Sequence, residues 1–125
     1  MKRIVATDKA PGAIGPYNQA VWAGDLLYCS GQLGIDPATG ALAGSDVAAQ
    51  AEQALKNVKA ILESQGLTVA NVVKTLVFLT DMADFKLFNE VYGKVFAADA
   101  PARSCVAVAA LPLGGVVEIE VIATK

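Results

Sequence analysis

Apolar positions along this chain change their spacing several times, and each change marks a predicted element. Between residues 45 and 65, Val47, Ala51, Leu55, Val58 and Leu62 recur every three or four positions, the period of one helix face. Gly66 follows where a left-handed residue closes a helix. Val72 to Thr80 is β-rich and nearly all apolar, which predicts a strand covered on both faces. Asp81 and Asp84 then open a second helix, with Phe85, Phe88, Tyr92, Val95 and Phe96 as its apolar stripe. Aromatics at that spacing predict core packing rather than a ligand box.

Shorter patterns fill the rest. Residues 20–23 and 26–30 read as strands around the Gly24-Asp25 turn, and Gly31 to Ile35 leads into the turn Asp36-Pro37-Ala38-Thr39-Gly40. After Pro101, residues 103–109 and 116–123 read as two further strands, which could pair as a hairpin around Pro112 in a register the sequence does not fix. The order strand, strand, helix, strand, helix, strand, strand predicts a single α+β domain over residues 1–125. Its mixed sheet carries two helices on one face. The other face would lie bare in a lone chain, so an oligomer is expected.

Composition strengthens that expectation. The chain is 54% hydrophobic, and its mean hydropathy is +0.47. No apolar run is long enough for a bilayer span, and the basic start Met1-Lys2-Arg3 lacks the apolar segment of a secretory signal, so the cytoplasm is expected. Cys29 and Cys105 have no CxxC spacing, so neither a disulfide framework nor a zinc site is predicted. The net charge is −2, and the ten basic residues are scattered, which leaves nucleic-acid binding without electrostatic support. There is no histidine. Ser-His-Asp and Cys-His nucleophile systems, HExxH metal sites and imidazole acid–base chemistry are thereby excluded.

The candidates for chemistry lie late in the chain. Arg103 is one of two arginines among ten basic residues, and its planar fork suits a carboxylate in a way lysine cannot copy. A structural salt bridge to Glu118 or Glu120 would use the same fork. Strand alternation places Arg103, Cys105 and Ala107 on one face, and Glu118 with Glu120 on one face of the last strand. In such a hairpin, Arg103 or Cys105 would come within a residue or two of Glu118. The two glutamates fit either an acid–base pair or the polar face of an edge strand. Tyr17 and Ser30 each follow a tight stretch or strand end, where packing and turn roles are common.

Taken together, these segments resemble the RidA-type reactive-intermediate deaminases (the YjgF family) over nearly the whole chain. The resemblance rests on Ala13-Ile14-Gly15-Pro16-Tyr17, Ser30-Gly31-Gln32-Leu33, Asp36-Pro37-Ala38-Thr39-Gly40, and Ala60-Ile61-Leu62 through Gly66-Leu67. It continues through Val73-Lys74-Thr75, Phe85 with Asn89, Pro101-Ala102-Arg103-Ser104-Cys105-Val106, and Val117-Glu118-Ile119-Glu120. It implies a chorismate-mutase-like two-layer fold, a homotrimer with clefts between subunits, and no metal or cofactor. It also implies hydrolysis of 2-imino and 2-enamino acids released by pyridoxal-phosphate enzymes (2-iminobutanoate, 2-iminopropanoate, 2-aminoacrylate) to 2-oxo acids and ammonia. On this reading Arg103 holds the substrate carboxylate, Glu118 serves the attacking water, and the Cys105 backbone bonds substrate and water. Tyr17, Ser30, Gly31 and Asn89 shape the pocket. Ala107 departs from the pattern, since many relatives carry a glutamate there, and the short Ala97-Ala98-Asp99-Ala100 segment also differs. A trimeric small-carboxylate or protein-binding module is the rival reading. An endoribonuclease is a third, set against a pI of about 5.0.

Overall fold

The computed structural model describes residues 1–125 and contains seven strands and two α-helices. The strands are β1 (Arg3–Val5), β2 (Ala20–Ala23), β3 (Leu26–Cys29), β4 (Gln32–Leu33), β5 (Val72–Leu79), β6 (Ala102–Ala107) and β7 (Val117–Thr124). Helix α1 spans Val47–Ser64, and α2 spans Phe85–Val95. The expected α+β architecture is present, with both helices on one face of one mixed sheet. Strand β1 falls where no strand was expected. No helix is long and apolar enough to cross a membrane.

Local signals explain the helix ends. The Asp46 side chain accepts from the Ala49 N–H at 3.1 Å, satisfying one of the donors a helix start leaves open. At the far end Gly66 adopts φ +73°, and the Leu67 N–H reaches back to the Leu62 carbonyl at 3.0 Å. That reversal requires a left-handed residue, which glycine supplies without a Cβ clash. Helix α2 is preceded by a short 3₁₀ turn, Met82–Asp84, which Asp81 caps through the Ala83 N–H.

The sheet order is β1-β2-β3-β7-β5-β6, with β4 pairing β7. The last strand is therefore inserted into the middle, antiparallel to β3, β4 and β5. Strand β6 pairs β5 in parallel and forms the sheet's edge. A hairpin between residues 103–109 and 116–123 is not formed, because β5 lies between them. Helix α2 provides the long crossover that two parallel neighbours need, and this carries β6 to the far side of β5.

Burial alternates strictly along β7. Val117, Ile119, Val121 and Ala123 are buried under the helices with Leu55, Ile61, Leu62 and Phe88. The intervening Glu118, Glu120 and Ile122 face away from them. Strand β5 alternates too: Thr75, Val77 and Leu79 are fully buried, whereas Leu76 and Phe78 are only half-buried. The expected cover on both faces is thus absent within one chain. The face without helices carries Tyr28, Leu76, Phe78, Val106 and Ile122, an apolar surface of the kind that marks an interaction site.

Candidate active site

Strand β7 places two carboxylates on the open face. Glu118 and Glu120 line a cavity of about 580 Å³, together with Tyr17, Ser30, Gly31 and Gln32. Burial raises the Glu118 carboxyl above the ordinary glutamate range, and the nearby Glu120 charge adds to the shift. Both causes favour a proton on the carboxyl. Gly31 lies directly against this group: a Cβ there would stand 2.7 Å from the Glu118 Cδ and 2.9 Å from its Cγ, and would collide with Oε1. Only a residue without a side chain leaves Glu118 its position. Ser30 is fixed by its hydroxyl, which donates to the Asn18 carbonyl at 2.6 Å, and by its N–H to the Gln19 carbonyl at 2.9 Å. The Tyr17 ring is about half exposed on the lining.

Arg103 sits on the other face. It is level with the fully buried Thr75 and points toward α2. Its Nη1 donates to Asn89 Oδ1 at 2.8 Å, and its Cζ lies 4.8 Å from the Tyr92 ring centre and 5.6 Å from that of Phe85. Each cation–ring contact is worth about 0.5–2 kcal/mol, enough to hold the guanidinium in one orientation. One donor is used by Asn89, and the rest of the fork remains for a ligand. Tyr92 is itself pinned by a 2.8 Å hydroxyl bond to Thr75.

Cys105 shares this face two residues along. Burial raises its thiol pKa, and the Arg103 charge only partly opposes the shift, so the sulfur is a thiol at neutral pH. Its backbone is better placed for chemistry. The Val108 N–H bonds the Leu79 carbonyl, and the β5–β6 register runs without a shift. Alternation then turns the N–H and C=O of Ala107, Cys105 and Arg103 away from β5, along the free edge of the sheet. These groups are open to a ligand.

The two clusters are therefore separated by the sheet itself. Glu118 pairs Phe78 on the open face, and Arg103 pairs Thr75 on the helix face. The proximity a hairpin would give is replaced by a division: Arg103, Cys105 and Asn89 on one side, Glu118, Gly31, Ser30 and Tyr17 on the other. No lysine or arginine lines the cavity that holds Glu118 and Glu120. A carboxylate ligand has no counter-charge there within one chain. No group of three or more histidine, cysteine, aspartate or glutamate side chains is placed to hold a metal ion.

Comparison with known proteins identifies the family. A family model described as Endoribonuclease L-PSP matches residues 7–125. The chain belongs to this family, the RidA or YjgF group. It is 50% identical over 125 residues to the human 2-iminobutanoate/2-iminopropanoate deaminase, covering all of this chain and 91% of that protein. It is 51% identical over 123 residues to the chloroplastic Reactive Intermediate Deaminase A of Arabidopsis thaliana, covering 98% of this chain and 66% of the plant protein. Among solved structures, RidA from an Antarctic Psychrobacter bacterium aligns with a TM-score of 0.95 at 50% identity, covering 98% of this chain and 99% of that one. The E. coli TdcF structure with bound serine aligns with a TM-score of 0.94 at 47% identity, covering 98% of each chain.

Several residues that build the site in this RidA-type chain are not apparent from motifs. Buried Gln19 accepts from the Thr7 N–H at 2.6 Å and donates to the Pro11 carbonyl at 2.8 Å, which ties down one wall of the cavity. Buried Gln50 donates to the Gly44 carbonyl and accepts from the Val116 N–H, both at 2.8 Å. Buried Asn57 donates to the Leu33 and Ile35 carbonyls at 3.1 and 2.8 Å. Gln50 and Asn57 are seven residues apart on the buried face of α1. Two amides on an apolar stripe are the signal that could have found them, since buried amides must have partners. No buried side-chain polar atom in the chain lacks one. The aromatic stripe of α2 does enter the core, but Phe85 and Tyr92 have a second use beneath Arg103.

Proposed function

We propose that this chain hydrolyses 2-imino and 2-enamino acids such as 2-iminobutanoate, 2-iminopropanoate and 2-aminoacrylate to 2-oxo acids and ammonia. The observation that carries the reading is the division of the site. An oriented arginine with a free fork occupies one face, and a cavity with two carboxylates and no cation occupies the other. A homotrimer joins them, placing Arg103, Cys105 and Asn89 of one protomer against Glu118, Gly31, Ser30 and Tyr17 of the next. The apolar open face supports such an assembly, and the deaminase names of relatives near 50% identity support the reaction. The assigned compartment is the cytoplasm, where Cys29 and Cys105, both free, persist as thiols.

Arg103 binds the substrate carboxylate through two charge-assisted bonds, each worth roughly 1.5–3 kcal/mol. The outward N–H and C=O of Cys105 bond the substrate and the water beside it. An enamine first gains a proton from solvent at its terminal carbon and becomes the iminium, the form an imine also reaches by protonation at nitrogen. Water then adds to the C=N carbon while Glu118 takes a proton from it. Glu118 then returns the proton to the nitrogen of the carbinolamine so formed, the C–N bond breaks with departure of ammonia, and the hydroxyl proton passes to the Glu118 carboxylate as the C=O forms. The 2-oxo acid remains. Burial of Glu118 suits this exchange, because a carboxyl raised toward neutrality both accepts and donates readily. The positive charge of the iminium makes its carbon electrophilic, and the chain's own residues carry the proton transfers.

The family description names an endoribonuclease, but a net charge of −2 with scattered basic residues gives a phosphate backbone no basic surface to bind. The deciding experiment couples a threonine dehydratase to 2-oxobutanoate detection, with and without this protein. Accelerated release that disappears in Arg103→Ala, with assembly intact, supports the deaminase. Binding of small carboxylates without acceleration would assign the chain to a non-catalytic module.

A further inference from the structure

The cavity contains one residue whose backbone and side chain are both unfavourable for the isolated chain. Leu113 has φ +60° and ψ +19°, a left-handed conformation that leucine rarely adopts, and its side chain is 61% exposed. Its turn does not rely on that side chain. The Gly115 N–H closes the turn on the Pro112 carbonyl at 3.1 Å, and the Val116 N–H is held by the buried Gln50. The turn is thus clamped from beneath while Leu113 is displayed on the cavity lining. Ile14, 74% exposed, is the other prominent apolar side chain there. Ser30, Gln32, Glu118 and Glu120 form the polar part of the lining, and Leu33, Ile35 and three prolines continue its apolar part.

If the carboxylate and imine of the substrate are taken by Arg103 and Glu118, only its side chain remains to be recognised. The cavity, at about 580 Å³, lies in the range that accommodates ligands far larger than a four-carbon acid. Resting on the deaminase reading, we infer that Leu113 is a specificity-determining residue: it favours 2-imino acids with extended aliphatic side chains over those with short or polar ones. Ile14 extends the same apolar surface. An exposed leucine held in a fixed turn gains from such a side chain by losing water-exposed area against it.

The test compares imino acids generated in situ from alanine, leucine and asparagine by an amino-acid oxidase, with oxo-acid release as the readout. The variants are Leu113→Gly and Leu113→Asn, since both new residues tolerate a positive φ. The expected result is a fall of about fivefold in the leucine-to-alanine ratio of kcat/KM in both, equivalent to roughly one shielded methylene. The asparagine-to-leucine ratio should rise, most in Leu113→Asn. Using ratios removes any general loss of active protein. An unmoved ratio overturns the assignment, and an unmoved ratio with altered oligomeric state places Leu113 at a subunit contact instead. A wild-type chain that turns over none of the three overturns the deaminase reading, and this inference with it.

Discussion

Replacing Gly31 with alanine adds one methyl group, and its consequences can be worked from the contact it would make. The new Cβ would lie 2.7 Å from the Glu118 Cδ, whereas carbon atoms rest about 3.5–4.0 Å apart. The carboxylate must retreat by roughly 1 Å, and a displacement of that size costs about 10²-fold in rate. The ceiling is the whole contribution of acid–base assistance, roughly 10²–10⁴-fold. Stability should change little. Gly31 is not among the glycines with positive φ, so alanine is sterically allowed in its backbone. The lower entropy of the unfolded chain contributes about 0.4–1 kcal/mol against the cost of moving Glu118. Gly31→Ala should therefore lose about 10²-fold in kcat with a Tm shift of a few degrees at most. The dehydratase-coupled assay and a thermal melt measure both. If the methyl acts through Glu118, adding it to Glu118→Gln should cost almost nothing more. A kcat within threefold of wild type, or a full second loss in the double variant, would refute the reasoning.

The other predictions concern the groups around the two half-sites. Tyr92→Phe removes the hydroxyl bonded to the fully buried Thr75, which should cost about 1–3 kcal/mol in a denaturation experiment. The ring face beneath Arg103 survives, so kcat/KM should stay within about threefold; a larger loss would show that the hydroxyl matters to the anchor. Glu118 titrates above its unfolded value, so its contribution to stability is complete below the ordinary glutamate range and is lost as pH rises through the raised folded value. Glu118→Gln should accordingly gain stability over wild type as pH rises across that window, as followed by chemical denaturation at several pH values. The acid limb of kcat/KM should lie above the ordinary glutamate range and move down in Glu120→Gln, because the Glu120 charge raises Glu118. Cys105→Ser should keep most activity, since the thiol is protonated and the outward backbone groups are unchanged; inactivity of that variant would assign chemistry to the sulfur.

Much of this fold could be read from periodicity. The stripe from Val47 to Leu62, the Gly66 closure and the alternation through Glu118 and Glu120 depend on local geometry, which sequence spacing reports directly. Which strand lies beside which depends on long-range packing. Nothing local to Arg103–Ala107 says that β5 separates it from β7, and a hairpin of the two remains open in the sequence until the sheet order closes it. The face-sharing of Arg103 with Cys105, and of Glu118 with Glu120, is the same in either arrangement because alternation holds whatever the neighbour. The family resemblance implies a set of site residues, and the structure adds the close approach of Gly31 to Glu118 and the bond Arg103 donates to Asn89. Spacing marks Tyr92 as core, because it cannot reveal a cation placed over the ring by another element. Gln50 and Asn57 escape a local reading for a similar reason: Gln50 accepts from the Val116 N–H and Asn57 donates to the Leu33 and Ile35 carbonyls, all distant in the chain.

The sheet that divides Arg103 from Glu118 also has a genetic consequence. A chain lacking the arginine still carries an intact carboxylate cavity, and a chain lacking the glutamate still carries an intact anchor. In the proposed composite cleft, Arg103→Ala and Glu118→Gln subunits are complementary rather than equivalent lesions. Unfolded together and refolded as mixed rings, two inactive proteins would restore roughly a quarter of the clefts, each drawing its intact half from a different parent. Such rescue between alleles is denied to any enzyme whose anchor and base share one face of one chain.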